Sequence, residues 1–177
     1  LTYGDLRYAF EQAWKASKLP TAPGSVDAVV HCTGALLVRD WMTAYYQRDT
    51  VPIDHLLMLA PANYGSPLAH KGREFYGRIL KGWKTGFQTG TKLLKGLELA
   101  SPYTWDLAFR DVLTKTPWYG ADGIMATVLV GNTGYDGVRA AANEDGGDGT
   151  VLISTANLNS ALVTMDCAQP RPSYALY

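Results

Sequence analysis

One cysteine stands where the surrounding pattern predicts a nucleophile. Cys32 follows a β-branched apolar run that ends at Val30, and a helix-compatible run with apolar positions follows Gly34. This pattern predicts a strand, a sharp turn and a helix, with Cys32 at the apex. A turn this tight needs small residues near the apex because the helix packs close behind it. The helix N-terminus beside the thiol would stabilise a thiolate or a developing oxyanion, so we expect nucleophilic chemistry at Cys32.

The segment Val30-His31-Cys32-Thr33-Gly34 resembles the nucleophile elbow of the α/β-hydrolase superfamily, most closely its lipase and esterase branch. The family pattern has Ser where this chain has Cys32, and a small residue where it has Val30, which predicts a more crowded turn. A second stretch, Pro61–Pro67, resembles the segment that follows the next strand in lipase-like hydrolases. The resemblance implies an acyl-enzyme on Cys32, with the backbone N–H of Thr33 as one donor of the oxyanion hole.

The same resemblance provides a candidate for the acid of a catalytic triad but none for its base, a histidine. The stretch Asp148-Gly149-Thr150-Val151 resembles the segment on which lipase-like hydrolases carry the triad acid, so Asp148 is the candidate and the nearby Asp145 its competitor. The family's catalytic His follows the acid, whereas the histidines of this chain all precede it: His31, His55 and His70. A Cys without a base can still be acylated, because a few per cent of an ordinary thiol is ionised near neutral pH, but deacylation would be slow.

Three functions therefore stay open. The first is a carboxylic ester hydrolase, impaired by the missing His and by the absence of a candidate for the second oxyanion donor. The second is a non-catalytic hydrolase-like binding module or an inactive fragment. A weaker alternative is a thiol-dependent acyltransferase or thioesterase, for which Cys32 would be a natural nucleophile.

The rest of the chain alternates between strand and helix patterns. An amphipathic helix over residues 1–19 and a short buried strand over 27–31 precede the elbow; a helix over 36–45 and strands at 53–60 and 124–131 follow it. This alternation predicts an α/β fold, a parallel sheet with crossover helices that forms part of an α/β-hydrolase fold.

Helical patterns between the last two strands predict a lid insertion at 68–119, with residues 1–67 and 120–177 as the core. Apolar positions of the insertion would face an acyl chain or belong to the ordinary core.

Composition excludes several other classes of protein. The chain has 177 residues, 47% of them hydrophobic, and a formal net charge of zero, so no basic field recruits nucleic acid. No apolar run is long enough to span a membrane, and no signal-peptide pattern follows Leu1.

Two cysteines, Cys32 and Cys167, make neither a disulfide framework nor a metal cluster, and we expect two free thiols. Gly131, Gly134 and Gly137 do not fit the dinucleotide fingerprint, and the acidic stretch at 143–151 does not fit a calcium loop, so we expect neither cofactor nor metal.

The expected ligand is a small-molecule ester or a lipid, bound by a soluble protein without an integral membrane segment. The family normally supplies several strands before the elbow, whereas here one helix and one strand precede Cys32. The missing initiator Met also suggests processing or a fragment. A sheet without its first strands would expose an edge, which predicts a homo-oligomer or a second chain that completes the sheet.

Overall fold

The computed structural model describes residues 1–69, 90–136 and 143–158, together with the backbone of two later strands. His70 and Cys167 lie outside the described residues, and so does much of the predicted lid. The elements in chain order are α1 (Tyr3–Ala16), β1 (Val26–His31), α2 (Thr33–Tyr45), β2 (Ile53–Leu59), a 3-10 turn (Pro67–Ala69), α3 (Thr91–Gly96), α4 (Pro102–Asp111), β3 (Met125–Leu129), α5 (Ile153–Ala156), β4 (Val163–Asp166) and β5 (Ser173–Leu176).

The three long strands form one parallel sheet in the order β1-β2-β3. Ala28 pairs with Leu56, and Leu57 pairs with Thr127. Parallel neighbours need crossover connections, and α2 provides the one between β1 and β2. This arrangement confirms the predicted α/β class and brings the carboxyl ends of all three strands to one edge. The antiparallel pair β4–β5 forms a separate two-stranded sheet that the sequence pattern did not indicate.

The first helix begins at a capping box formed by Thr2 and Asp5. The side chain of Thr2 accepts a hydrogen bond from the Asp5 amide at 3.2 Å, and the Asp5 carboxylate accepts one from the Thr2 amide at 2.7 Å. This reciprocal capping box satisfies two donors that the first turn would otherwise leave unpaired. It fixes the start of α1, which packs on α2.

The main core lies between the sheet and the first two helices. Leu56 and Met58 of β2 are fully buried against α2, where Trp41 is also fully buried. The indole of Trp41 lies 4.6 Å from that of Trp14, centroid to centroid, and its Nε1 donates to Glu11 at 2.7 Å. Large aromatic groups with a satisfied polar atom thereby anchor α1 and α2 to the sheet.

The opposite face of the sheet is open in the described part of the chain. Val29 on β1 is 66% exposed, and Met125 and Leu129 on β3 are 59% and 53% exposed. The prediction that β1 is a buried strand is therefore wrong, because its residues alternate between a covered and an uncovered face. Parallel sheets normally have both faces covered. Pairing with another chain at this sheet stays a prediction.

A second apolar cluster contains helices from the predicted lid. Leu97, directly after α3, and Leu107 of α4 are buried together with Tyr3, Leu36 and Val151. In the described residues these two leucines are therefore core residues, which was one of the two alternatives for the apolar positions of this region. The division into a core and a lid over 68–119 stays a prediction.

Candidate functional site

The nucleophile position lies at a strained turn between β1 and α2. Cys32 has φ 53° and ψ −121°, a backbone conformation that L residues rarely adopt and that costs roughly 1–3 kcal/mol. Its amide donates to the carbonyl of Leu59 at the end of β2, at 3.0 Å. The sheet thus holds the apex of the turn at its carboxyl edge, with the side chain half-buried. Strain that is held in place in this way is typical of functional positions.

Val30 does not crowd the turn as expected. A side-chain Cβ built on Gly34 would lie 3.7 Å from the Cβ of Val30, which is an ordinary van der Waals distance. The expectation of crowding is therefore wrong at this contact. Val30 faces the partly buried side of β1 and packs against the main core instead.

The Cys32 thiol is harder to ionise than an ordinary thiol. Burial raises its pKa, a hydrogen bond from the Thr33 N–H to the sulfur lowers it, and the negative charge of Asp148 raises it further. The net direction is upward: the Thr33 N–H at the helix N-terminus favours the thiolate, as expected, but burial outweighs it. The Thr33 N–H reaches the sulfur, whereas an oxyanion donor must reach the position of the substrate carbonyl oxygen, so that role of Thr33 stays a prediction.

Asp148, the predicted acid, lies close enough to Cys32 for its negative charge to act on the thiol. It follows β3, and its Cβ is 3.3 Å from where a Cβ on Gly131 would be. Its Oδ1 accepts hydrogen bonds from the amides of Thr150 at 2.8 Å and Val151 at 2.9 Å. These bonds fix a half-buried carboxylate whose charge acts on Cys32. The competitor Asp145 is exposed to solvent.

The loop that carries Asp148 is held by side-chain hydrogen bonds. Ser66, from the segment after β2, donates to the carbonyl of Thr150, and the Tyr135 hydroxyl lies 3.0 Å from the Thr150 Oγ1. Asn143 both accepts from the Tyr135 amide and donates to its carbonyl, at 2.8 Å each. The acidic stretch at 143–151 is thus tied to the ends of β2 and β3 by neutral polar groups.

The two described histidines do not complete a triad. His31 is exposed and lies on β1 directly before Cys32. His55 lies four positions before Leu59, roughly 13 Å along β2 from the carboxyl edge of the sheet where Cys32 lies. Its Nδ1 is 2.7 Å from the carboxylate of Asp27, and that hydrogen bond raises the pKa of His55. We assign neither histidine as the base.

Near His55, the described residues include a group of side chains whose potential metal-ligand atoms lie close together. One ligand atom each from Asp27, Asp54 and His55 lies within 4.8 Å of the others, and all three residues are exposed. The group lies toward the amino ends of the strands, away from Cys32. It therefore plays no part in the chemistry of the elbow.

A buried ionic network connects α2, α4 and the segment after β2, and it was not predicted from the sequence. Arg39 on α2 forms two hydrogen bonds with Asp111 on α4, Nε to Oδ2 at 2.7 Å and Nη2 to Oδ1 at 2.9 Å. Its Nη1 also donates to the side-chain oxygen of Asn63 at 3.0 Å. Both charged side chains are fully buried. One sequence signal could have indicated this network: Arg39 lies within the apolar run of α2, and a buried charge requires a partner.

This network joins the segment after β2 to three helices. Asn63 donates to the carbonyl of Ala156 in α5 at 2.8 Å, and the Tyr119 hydroxyl donates to Asp111 at 2.8 Å. Burial opposes the charge of Arg39, but Asp111 outweighs it and raises the pKa of the guanidinium. Burial also raises the pKa of Tyr119 well above its ordinary value. The stretch Pro61–Pro67, which the sequence singled out, is thereby fixed at the carboxyl edge of the sheet.

Among the described helices, none combines the length and the apolar character that crossing a membrane requires. No protein-family model matches the sequence, and no curated protein matches it either.

Two solved structures resemble the chain over nearly its whole length. Phospholipase PlaB from Legionella pneumophila has a TM-score of 0.72 and 32% sequence identity, with 99% of this chain and 39% of that chain covered. Phospholipase PlaB from Legionella pneumophila in complex with thio-NAD has a TM-score of 0.71 and 29% identity, with 100% and 37% covered. The chain thus spans less than two-fifths of the length of these structures. The similarity to a phospholipase fits the α/β-hydrolase-like fold that the elbow segment predicts.

Proposed function

We propose that this chain carries the nucleophile and the acid of a carboxylic ester hydrolase of the lipase or esterase type. The observation that carries the proposal is the position of Cys32, held at positive φ between a parallel strand and a helix, with the Asp148 carboxylate acting on it. A lipid ester is the proposed substrate class. The similarity to a phospholipase supports it.

The reaction would proceed through a thioester. The thiolate of Cys32 attacks the ester carbonyl carbon, and the negative charge that develops on the carbonyl oxygen is stabilised by the Thr33 N–H. The C–O bond breaks, and the alcohol leaves after taking up a proton. Water then hydrolyses the thioester, which releases the carboxylic acid and regenerates the thiol.

Asp148 would act through a histidine rather than on the substrate. In a triad the carboxylate orients the base and stabilises its charged form. No described histidine takes this position, and without a base the raised pKa of Cys32 leaves less of the thiol ionised at neutral pH than in an ordinary cysteine. We therefore expect slow turnover that rises with pH. The segment 68–119, part of which lies outside the described residues, is proposed as a lid over the site.

Hydrolysis of p-nitrophenyl butyrate by the chain and by two cysteine variants tests the proposal. We expect Cys32→Ala to reduce the rate to the uncatalysed background, a loss smaller than the ~10⁶-fold seen when an intact triad loses its nucleophile. Cys167→Ala removes the other thiol and should leave the rate unchanged. Full activity in Cys32→Ala would exclude Cys32 as the nucleophile.

A non-catalytic binding module is the second candidate function. The upward shift of the Cys32 pKa favours it, because a thiol that stays protonated is a poor nucleophile. A chain that binds ester analogues but shows no hydrolysis above background at any pH would support this candidate. A thioesterase or thiol-dependent acyltransferase is the weaker alternative, and faster turnover of thioesters than of oxygen esters would indicate it.

A further inference from the structure

Two side chains outside the predicted triad hold the loop that carries Asp148. The side-chain amide of Asn143 accepts a hydrogen bond from the Tyr135 amide and donates one to the Tyr135 carbonyl, at 2.8 Å each. The Tyr135 hydroxyl lies 3.0 Å from the Oγ1 of Thr150, two residues after Asp148. We call the pair Tyr135 and Asn143 the tyrosine clamp.

Two glycines allow the tyrosine clamp to approach this loop closely. Gly149 has φ +86°, and a Cβ there would lie 2.6 Å from the Tyr135 ring and 2.7 Å from the Oδ1 of Asn143. A Cβ on Gly134 would overlap the side-chain amide of Asn143. Both positions therefore require a residue without a Cβ. Because the two glycines make room for the same pair of side chains, the clamp is a close-packed arrangement rather than a chance contact of surface groups.

The tyrosine clamp reaches the Asp148 carboxylate through Thr150. The Oδ1 of Asp148 accepts a hydrogen bond from the Thr150 amide at 2.8 Å, so the position of Thr150 determines where that oxygen lies. The buried Ser66 donates to the Thr150 carbonyl, and Tyr135 holds its hydroxyl. Thr150 is thus fixed at its amide, its carbonyl and its side chain. Tyr135→Phe removes the third of these contacts and keeps the aromatic ring.

Contacts across the carboxyl edge of the sheet connect the loop to the nucleophile position. The Cys32 amide donates to the carbonyl of Leu59, the last residue of β2, at 3.0 Å, and the next amide of that segment donates to the last carbonyl of β3 at 2.7 Å. Gly131 follows β3, and a Cβ there would lie 3.3 Å from the Cβ of Asp148. We infer that the tyrosine clamp fixes the orientation of the Asp148 carboxylate relative to Cys32. This inference makes Tyr135 and Asn143 positioning residues and rests on the proposed function, in which Asp148 is the acid.

Alkylation of Cys32 by iodoacetamide at a fixed pH tests this inference, and the readout does not require ester hydrolysis. The negative charge of Asp148 disfavours the Cys32 thiolate, so a carboxylate released from its position should leave the thiol easier to ionise. We expect Tyr135→Phe to speed alkylation of the peptide that contains Cys32 by roughly two- to fivefold. Asn143→Ala removes both hydrogen bonds to Tyr135 and should have at least as large an effect.

A double substitution separates positioning of the carboxylate from a general loosening of the loop. If the clamp acts through the charge of Asp148, Tyr135→Phe should no longer change the alkylation rate once Asp148→Asn is present. The same increase with and without Asp148→Asn would mean only easier access to Cys32, and it would overturn the inference. An unchanged rate in the single variant Tyr135→Phe would overturn it as well.

Tyr45→Phe is the matched control for the removal of a tyrosine hydroxyl. Tyr45 is 42% exposed and Tyr135 is 40% exposed, and Tyr45 ends α2 at the opposite end of that helix from Cys32. Its substitution should leave the alkylation rate unchanged, and an equal increase there would contradict the assignment. Thermal unfolding shows whether each variant folds. If Asn143→Ala does not fold, Tyr135→Phe still decides, because it keeps the ring that packs against Gly149.

The outcome for the tyrosine clamp can be told apart from the outcome for the proposed function. Faster alkylation in Tyr135→Phe with no hydrolysis by the parent would reject the ester hydrolase but retain the clamp. Where the parent hydrolyses esters, Tyr135→Phe should lower kcat by about tenfold, the effect of roughly one hydrogen bond, and leave KM nearly unchanged. Hydrolysis by the parent with an equal kcat in Tyr135→Phe would overturn the positioning role.

Discussion

Asp148→Asn is expected to change two properties of the site in opposite directions. If Asp148 orients a histidine from outside the described residues, ester hydrolysis should fall by about 10²–10⁴-fold, because an amide cannot hold that histidine in the correct tautomer or stabilise its charge. Alkylation of Cys32 by iodoacetamide should become faster at the same pH, because the carboxylate that raises the thiol pKa is gone. A merely structural role for Asp148 would not produce this pair of results.

The substitution is suited to the test because it preserves the local hydrogen bonds. The Oδ1 of Asp148 accepts from the amides of Thr150 and Val151, and an asparagine oxygen can accept both. The loop should therefore keep its shape while the charge is lost. Alkylation is measured on the peptide that contains Cys32, across a pH series, and hydrolysis is measured on the same preparation.

Asp145→Asn is the matched control, three positions away on the same loop. Asp145 is exposed, so removal of its charge should leave both rates near those of the parent. The assignment of the acid would be contradicted if Asp145→Asn lost hydrolysis while Asp148→Asn kept it. Unchanged alkylation in Asp148→Asn would contradict the proximity of the two side chains.

Asp111→Leu is expected to be the most destabilising of the single substitutions considered. It leaves the guanidinium of Arg39 fully buried and without its bidentate partner. Breaking one side of a buried ion pair typically costs about 3–5 kcal/mol in the free energy of unfolding. Tyr119 would also lose the carboxylate to which its hydroxyl donates. The unfolding midpoint in urea measures the effect.

Another acidic residue of α4 provides the control. Asp106 is exposed and forms an ion pair with the partly buried Arg110 on the same helix, 3.1 Å between Nε and Oδ2, and Asp106→Asn should change the unfolding free energy little because the asparagine oxygen can still accept from Arg110. The double substitution Arg39→Met with Asp111→Leu should recover much of the lost stability, since a buried ion pair can be replaced by apolar groups of similar size. A midpoint for Asp111→Leu equal to that of Asp106→Asn would contradict the structural role of the network.

Local features of the fold could be predicted because their causes are local. The capping box of α1 depends on Thr2 and Asp5, three residues apart, and both hydrogen bonds are present. Ser101 caps α4 in the same way by accepting from the Thr104 amide at 3.2 Å. The strand, turn and helix around Cys32 follow from one run of residues, and the structure confirms each boundary within a few positions.

Features that depend on distant residues could not be predicted. Arg39 and Asp111 are 72 residues apart, and nothing in either segment alone indicates that they pair. The upward shift of the Cys32 pKa depends on burial and on Asp148, and neither is visible from the elbow sequence. The exposed face of β1 was also missed, because a β-branched run is equally consistent with one covered face or two.

The most direct test of the central claim is the intact mass of the chain after exposure to p-nitrophenyl acetate. We expect one acetyl adduct on the parent, none on Cys32→Ala, and removal of the adduct by hydroxylamine, as for a thioester. The adduct should form faster as the pH rises, because the Cys32 pKa is raised. An adduct that persists in Cys32→Ala, or no adduct on the parent at alkaline pH, would contradict a nucleophilic role for Cys32.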